Sequence, residues 1–470
     1  MAEDRRLVHS GRRARVALLV YNDAHNDSRV LKTAATLRSA GAQVRIFAVA
    51  RGRAGYAEGL ALVGDGIDVQ RAPEFELVRY APWVLSVARR LTGRPIPPSP
   101  LGASTAAGPA EAPVVEPAGP PTSGWNGAAR RWLNDVWLRS YRVVSLGLYW
   151  VESARAAAAW EPDIVHANDG NTLAPARWVA RACGAQIVYD AHELWRHRNV
   201  RTDRPVAPWI EAAIESRVIS RAAGVITVSP SIATWLQETY DLPVRPTLVR
   251  NIPRGVDEVR GSSGDIDPDP SQGRLRQMAG LAPQVQVVAY GGRITTSRGI
   301  EETLDALALL PLSVHFVLLG YGEPDYLATL RTRIDALGVK DRVHFVGAVA
   351  SDQVSTALAD ADLSVVFVRP ICLSYAFSLP NKLFESIHAG LPIAAADLPD
   401  TAAIVREYGV GEIFEVDDPS QIATAMASTM AAVLADPQRY RQAARVAAGV
   451  LTWQHEERAL LSLYAQVLDR

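Results

Sequence analysis

Arg15-Val-Ala-Leu-Leu-Val-Tyr21 is a short, β-rich apolar run, and Gln43-Val-Arg-Ile-Phe-Ala-Val49 is a second. Between them Val30, Leu31, Ala34, Leu37 and Ala40 recur at helical spacing and stop at Gly41. Apolar runs of this length suit parallel strands buried on both faces, and the intervening period belongs to an amphipathic helix with a glycine stop. The stretch is therefore a βαβ unit, which predicts an open parallel α/β sheet.

The same alternation continues along the chain. Asp163-Ile-Val-His166, Gln186 to Tyr189 and Gly224 to Val228 read as strands, and Leu173 to Cys183 reads as a helix. Gly93 to Gly124 is rich in Pro, Ala, Gly and Ser without apolar period, which reads as a flexible excursion interrupting the first domain. Gly261 to Gly273 is a second polar break. Beyond it Gln284 to Tyr290, Ser313 to Leu319, Arg342 to Val346, Leu363 to Val368 and Pro392 to Ala395 are expected strands. The expectation is an α/β protein of two doubly wound domains: residues 1–255, a linker at 256–275, a second domain at 276–450, and a terminal helix within 451–470. Ligands in such sheets sit beyond the carboxyl ends of strands, so two facing sheets would offer a cleft.

Bulk properties agree. A chain of 470 residues exceeds one ordinary core, and 48% apolar with 21% charged residues is typical of globular proteins. A formal charge of −1 gives no electrostatic case for nucleic acid. Cys183 and Cys372 are too few for a disulfide framework or zinc site, and no run approaches a spanning helix, so a cytoplasmic location is expected. Lysine occurs only at positions 32, 340 and 382 against a background of arginine, which draws the eye to each.

Three segments carry candidate chemistry. Tyr290-Gly-Gly-Arg-Ile294 with Ser297-Arg-Gly299 sets Gly292 and two guanidinium groups, Arg293 and Arg298, after the first strand of the second domain. Glycine admits a phosphate close to the backbone, and arginine supplies a fork of donors. Gly320-Tyr-Gly322 is a second turn where backbone could border a base or ribose. Ser378-Leu-Pro-Asn-Lys-Leu-Phe-Glu385-Ser-Ile-His-Ala-Gly-Leu-Pro392 builds a helix start around Pro380, with Asn381 and Lys382 in its first turn. The amides from Ser378 and Leu379 to Lys382, with the Lys382 ammonium, would hold a diphosphate, and Glu385 would accept from ribose hydroxyls.

This last segment resembles the Pro-Asn-Lys-x-x-Glu-x-x-x-x-Gly-x-Pro signature in family 4 of the retaining GT-B glycosyltransferases. Asp27-Ser-Arg-Val30, His166-Ala-Asn-Asp169, Asp190-Ala-His-Glu-Leu194, Val228-Ser-Pro-Ser231 and Asn251-Ile-Pro253 are similar to that family's other landmarks, in order. The resemblance implies a GT-B fold and transfer of a sugar from a nucleotide diphosphate, UDP or GDP, without a metal or other cofactor. It implies Arg293 and Lys382 on the donor phosphates, Arg298 where the family usually has lysine, and His192 at the donor sugar. Asp169, Glu193 and His25 would lie on the acceptor side. The family's first acidic residue, eight positions before Glu385, is here Phe377, with backbone amides as the expected substitute.

Asp267-Pro-Asp269 and Asp360-Ala-Asp362 spell a metal-binding dyad. One lies in the polar break and the other precedes a strand, so no metal site is assigned. No dinucleotide fingerprint follows the first strand. The segment Glu74 to Arg94, with Arg130, Arg131 and Trp132, suits packing on its own domain or peripheral contact with a membrane. The acceptor is open between a small molecule and a lipid-linked glycan. Two other classes stay in view: a sugar-nucleotide-binding protein without catalysis, suggested by Phe377, and a sugar-nucleotide epimerase of the same architecture.

Overall fold

The computed structural model describes residues 7–25, 27–80, 125–198, 207–254 and 273–469. The 93–124 excursion, most of the 256–275 linker, Asp267, Asp269, the 81–94 part of the candidate membrane segment and the Arg130, Arg131 and Trp132 side chains lie outside that description. After a short pair, β1 (Val8–His9) and β2 (Arg12–Arg13), the expected βαβ unit is present as β3 (Arg15–Leu19), a helix Ser28–Ser39 and β4 (Gln43–Val49). Asp27 caps the helix by accepting from the Val30 amide, which satisfies one of its orphan donors.

Next come β5 (Gly59–Val63), β6 (Ile67–Ala72), a helix Trp125–Ala159, β7 (Ile164–Asn168), a helix Leu173–Cys183 and β8 (Gln186–Ala191). A helix Ala207–Ile219, β9 (Gly224–Thr227), a helix Pro230–Tyr240 and β10 (Thr247–Leu248) follow. The eight-stranded sheet runs β10-β9-β8-β7-β3-β4-β6-β5, with β5 antiparallel to β6 at its edge. Its central strands are buried on both faces, as their continuous apolar sequence requires.

The second sheet contains β11 (Gln286–Gly291), β12 (Val314–Leu319), β13 (Val343–Phe345), β14 (Leu363–Val366), β15 (Ile393–Ala396) and β16 (Gly411–Phe414). Its order is β13-β12-β11-β14-β15-β16 and every pairing is parallel. The order reverses at β11, so the crevice beyond the ends of β11 and β14 is where such a sheet receives ligands. The chain groups into two compact units: residues 1–189 with 221–223 and 468–470, and residues 190–220 with 224–467. Among the described residues no helix is long and apolar enough to cross a membrane.

Both carboxylates of the Asp360–Asp362 pair are taken up by the protein. Asp360 accepts from the Leu275 and Arg276 amides at 3.1 Å each, and Asp362 accepts from Arg276 at 2.5 Å and the Val287 amide at 2.7 Å. The terminal helix Trp453–Leu468 is anchored by Glu456, which is 4% exposed and receives the Arg250 amide, Nε and a terminal nitrogen at 2.7, 2.9 and 2.6 Å. Removing the acid leaves a guanidinium and an amide without acceptors. Glu456→Ala is expected to cost about 3 kcal/mol, read from urea unfolding, and Glu456→Gln clearly less.

Candidate functional site

The turns after β11 and β12 lean on each other through their backbones. The Ile294 amide donates to Tyr321 O at 2.7 Å, and the Gly292 amide to Leu319 O at 3.0 Å. A methyl carbon on Gly320 would fall inside the contact distance of Gly292 O, and one on Gly322 would lie 2.6 Å from Ile294 O. These two glycines therefore answer first to loop packing within the protein. Gly292, at φ +125°, has its amide and carbonyl turned to the β12 loop and open space only where a side chain would stand.

Gly299 has φ +79° and lets the helix Ile300–Ala308 begin against Phe367, whose Cβ would lie 2.6 Å from an added methyl. The guanidinium of Arg298, one residue earlier, stacks over the Tyr375 ring at 5.2 Å. Arg293 is turned outward and pairs with Glu323 at 3.2 Å. Of the two arginines, Arg298 is the one held beside Lys382.

The helix Asn381–His388 starts behind Pro380, which has extended ψ and offers no side-chain cap. Its first backbone bond is Leu383 N to Pro380 O at 3.0 Å. Among the described residues the amides of Leu379, Asn381 and Lys382 have no acceptor, which leaves several aligned donors at the positive end of the helix. Lys382 lies beneath them, 7% exposed, with Nζ donating to Phe367 O at 2.7 Å and Arg298 O at 3.1 Å and sitting 4.9 Å from the Tyr290 ring centre. Burial, with Arg298 adding repulsion, pulls its pKa down to about 7 against the opposing pull of Glu302 and Glu385. Glu385 is half-buried one turn into the helix.

The turn before this helix is fastened at each step. Ser229 Oγ donates to Phe377 O at 2.7 Å, Thr401 Oγ1 donates to Ser378 O at 3.3 Å, and Ser374 Oγ accepts the Leu194 amide at 3.2 Å. The last contact joins the Asp190–Leu194 loop to the turn that carries Phe377 and Ser378. In that loop His192 Nε2 lies 3.0 Å from Asp190 Oδ2, and Asp190 is fully buried. A buried carboxylate at this distance is the polar neighbour that bears on how the imidazole is turned. Asp190, Ser229, Ser374 and Thr401 were not singled out from sequence. Asp190 and Ser229 lie within quoted landmarks but carried no role of their own there, and the partners of Ser229, Ser374 and Thr401 lie far away along the chain.

The remaining predicted residues are placed separately. Asp169 follows β7 with φ +63°, a conformation costly for a non-glycine residue. Glu193 is exposed, and His25 stacks on Tyr56 with ring centres 4.5 Å apart. Lys382, Arg298, Ser378 to Asn381, Glu385 and the His192 loop form one connected set, whereas Asp169 and His25 belong to the first compact unit. Among the described residues no cluster of metal-ligating side chains occurs.

Comparison with known sequences and structures places these features in context. Residues 285–432 match a family described as glycosyl transferases group 1, and residues 110–260 match one described as Glycosyltransferase Family 4. A D-inositol 3-phosphate glycosyltransferase of Mycolicibacterium gilvum is 28% identical over 331 residues, covering 67% of this chain and 69% of its own. The Salinispora arenicola protein of the same name is 26% identical over 346 residues, covering 68% and 72%. Sucrose-phosphate synthase from Thermosynechococcus elongatus superposes with a TM-score of 0.67 at 16% identity, covering 97% of this chain and 99% of its own. Anabaena Alr3699/HepE, solved in complex with UDP and glucose, does so with a TM-score of 0.62 at 16% identity, covering 96% and 98%.

Proposed function

The chain is a glycosyltransferase of the group 1 and family 4 kind with a GT-B fold, and from that premise we propose that it transfers a sugar from a nucleoside diphosphate with retention of configuration and without a metal ion. The observation that carries this reading is the uncapped start of the helix Asn381–His388 with the Lys382 ammonium beneath it. As the glycosidic bond breaks, negative charge grows on the leaving diphosphate. In this reading the amides of the helix start, Lys382 and Arg298 supply the donors for that charge, and a preorganised set of this kind needs no metal to act.

In this reading Glu385 accepts from the ribose hydroxyls, and the backbone around Ser378 to Asn381 takes the part of the acidic side chain replaced by Phe377. The clamps from Ser229 and Thr401 support that assignment, because they hold the peptide groups in one orientation. His192, braced by Asp190, faces the sugar. Arg293, paired with Glu323, would reach the phosphates only by exchanging that partner. Asp169, Glu193 and His25 are assigned to the acceptor side, the acceptor hydroxyl attacking from the face the diphosphate leaves. The reaction is assigned to the cytoplasm, at a membrane surface if the acceptor is lipid-linked. Co-sedimentation with anionic liposomes separates that case from a small-molecule acceptor.

The test is thermal unfolding with UDP, GDP, dTDP or NAD in EDTA. UDP is the first choice, since it occupies the Anabaena structure. At a hundred times its dissociation constant a ligand adds about 2.7 kcal/mol, enough to raise the midpoint by several degrees. A rise with one nucleoside diphosphate and none with NAD is the expected result. No rise without added metal, followed by one with it, would end the metal-independent assignment.

A further inference from the structure

Arg71 at the end of β6 is 5% exposed, yet its two terminal nitrogens donate to no described group. Its Nε donates to Asp23 O at 3.0 Å, and the guanidinium lies over the Tyr56 ring at 5.4 Å. No carboxylate among the described residues forms a salt bridge with it; the Asp23 carboxylate, which takes the His25 amide at 2.9 Å, acts on its charge from nearby without a hydrogen bond to it. A guanidinium keeps its charge at any ordinary pH, so one that is buried without a hydrogen-bonded anion is held at a cost in stability, which the nearby Asp23 charge only partly offsets. Burial indeed draws its pKa down from the usual arginine value.

The surroundings are built rather than loose. Tyr56 is held by reciprocal backbone bonds with Arg51 at 2.8 and 3.0 Å across a turn whose Gly55 has φ +86°. His25 stacks on its ring, and the intervening Ala24 takes φ +62° to bring the chain there. His25 and Tyr56 follow β3 and β4, and Arg71 stands near the end of β6; these strands are neighbours in the sheet, so the three residues gather at the carboxyl edge where such sheets bind ligands. Two free N–H pairs on a planar, immobilised fork match the oxygens of a phosphate or carboxylate.

We propose that Arg71, with Tyr56 and His25 beside it, forms a subsite for an anionic group, phosphate or carboxylate, on the acceptor; this rests on the reading that the strand ends of the first unit receive the acceptor. Asp23 limits the subsite to one anion, since its carboxylate stands close by.

The full-length chain is titrated by calorimetry with sodium phosphate, sodium glucuronate and neutral glucose at matched ionic strength, as wild type, Arg71→Met, Arg71→Lys and Lys382→Met. Wild type and Lys382→Met are expected to bind one of the anions alike and not glucose. Arg71→Met should bind that anion about tenfold more weakly or worse. It should also keep nucleoside diphosphate binding and unfold at a higher temperature than wild type in anion-free buffer. Arg71→Lys, which keeps the charge without the fork, should fall between and reports in its place if the methionine variant does not fold. Phosphate against glucuronate decides the source of the anion. Unchanged affinity in Arg71→Met, a response lost in Lys382→Met, or no anion binding to wild type overturns the subsite. Failure of the donor reading shows separately, as wild type that binds no nucleoside diphosphate.

Discussion

Lys382→Met is expected to make the protein more stable at about pH 6 while lowering donor turnover about a hundredfold. The stability side follows from burial. Holding the ammonium at a pKa of about 7 rather than its ordinary 10.5 costs about 5 kcal/mol while the group is charged. Methionine removes that cost but leaves Phe367 O and Arg298 O without their donor, worth about 2 kcal/mol together, so the net gain is about 3 kcal/mol. The sign of the pH dependence is definite. Between the folded and unfolded pKa values the unfolded chain binds the extra proton, so wild-type stability rises with pH across that window. The advantage of the variant is therefore full below about pH 7 and disappears by about pH 9, as urea unfolding at several pH values would show.

The same lysine makes donor binding a proton-linked event. A diphosphate placed against Nζ restores the pKa toward its ordinary range, so binding takes up part of a proton just above neutrality. Affinity should then weaken as pH rises through and above about 7, because a growing share of the free enzyme must be protonated first. Calorimetry in buffers of different ionisation heat measures the uptake. Identical heats after buffer correction in wild type and Lys382→Met would remove Lys382 from the phosphate site.

Gly320→Ala is expected to destabilise by about 3 kcal/mol or more and to displace both turns beside the donor site. The new methyl would meet backbone, Gly292 O, which has no rotamer by which to give way. Gly338→Ala is the control. Its methyl would meet nothing, and the cost is the left-handed conformation alone, about 1 kcal/mol at φ +67°. If the two variants unfold alike, the backbone contact between the turns is not formed in solution.

The βαβ unit at Arg15 to Val49 was legible because parallel strands are buried on both faces and advertise it as unbroken apolar runs, and the helices Leu173–Cys183 and Trp453–Leu468 emerge at the expected bounds. β5 and β6 escaped notice. An edge hairpin alternates apolar and polar residues over only a few positions, a signal too short to separate from a loop. The signature at Ser378 to Pro392 likewise pointed to a helix start carrying Lys382, since caps and stops are local chemistry.

Partnership was a different matter. That Gly320 and Gly322 serve loop packing, that Arg293 is turned toward Glu323 and that Ser229 and Thr401 hold the Phe377–Ser378 turn depended on which strand ends the fold makes neighbours. Arg71 is the sharpest case. In sequence it is one arginine among many in an arginine-rich chain, and only the fold buries it at a strand end without a hydrogen-bonded anion. Sequence by itself determined the elements and the residue types available at their ends, because those follow from periodicity and local backbone preference. Tertiary structure alone decided which of those residues are desolvated and which meet, because burial and contact are set by strand order, which brings together residues widely separated along the chain.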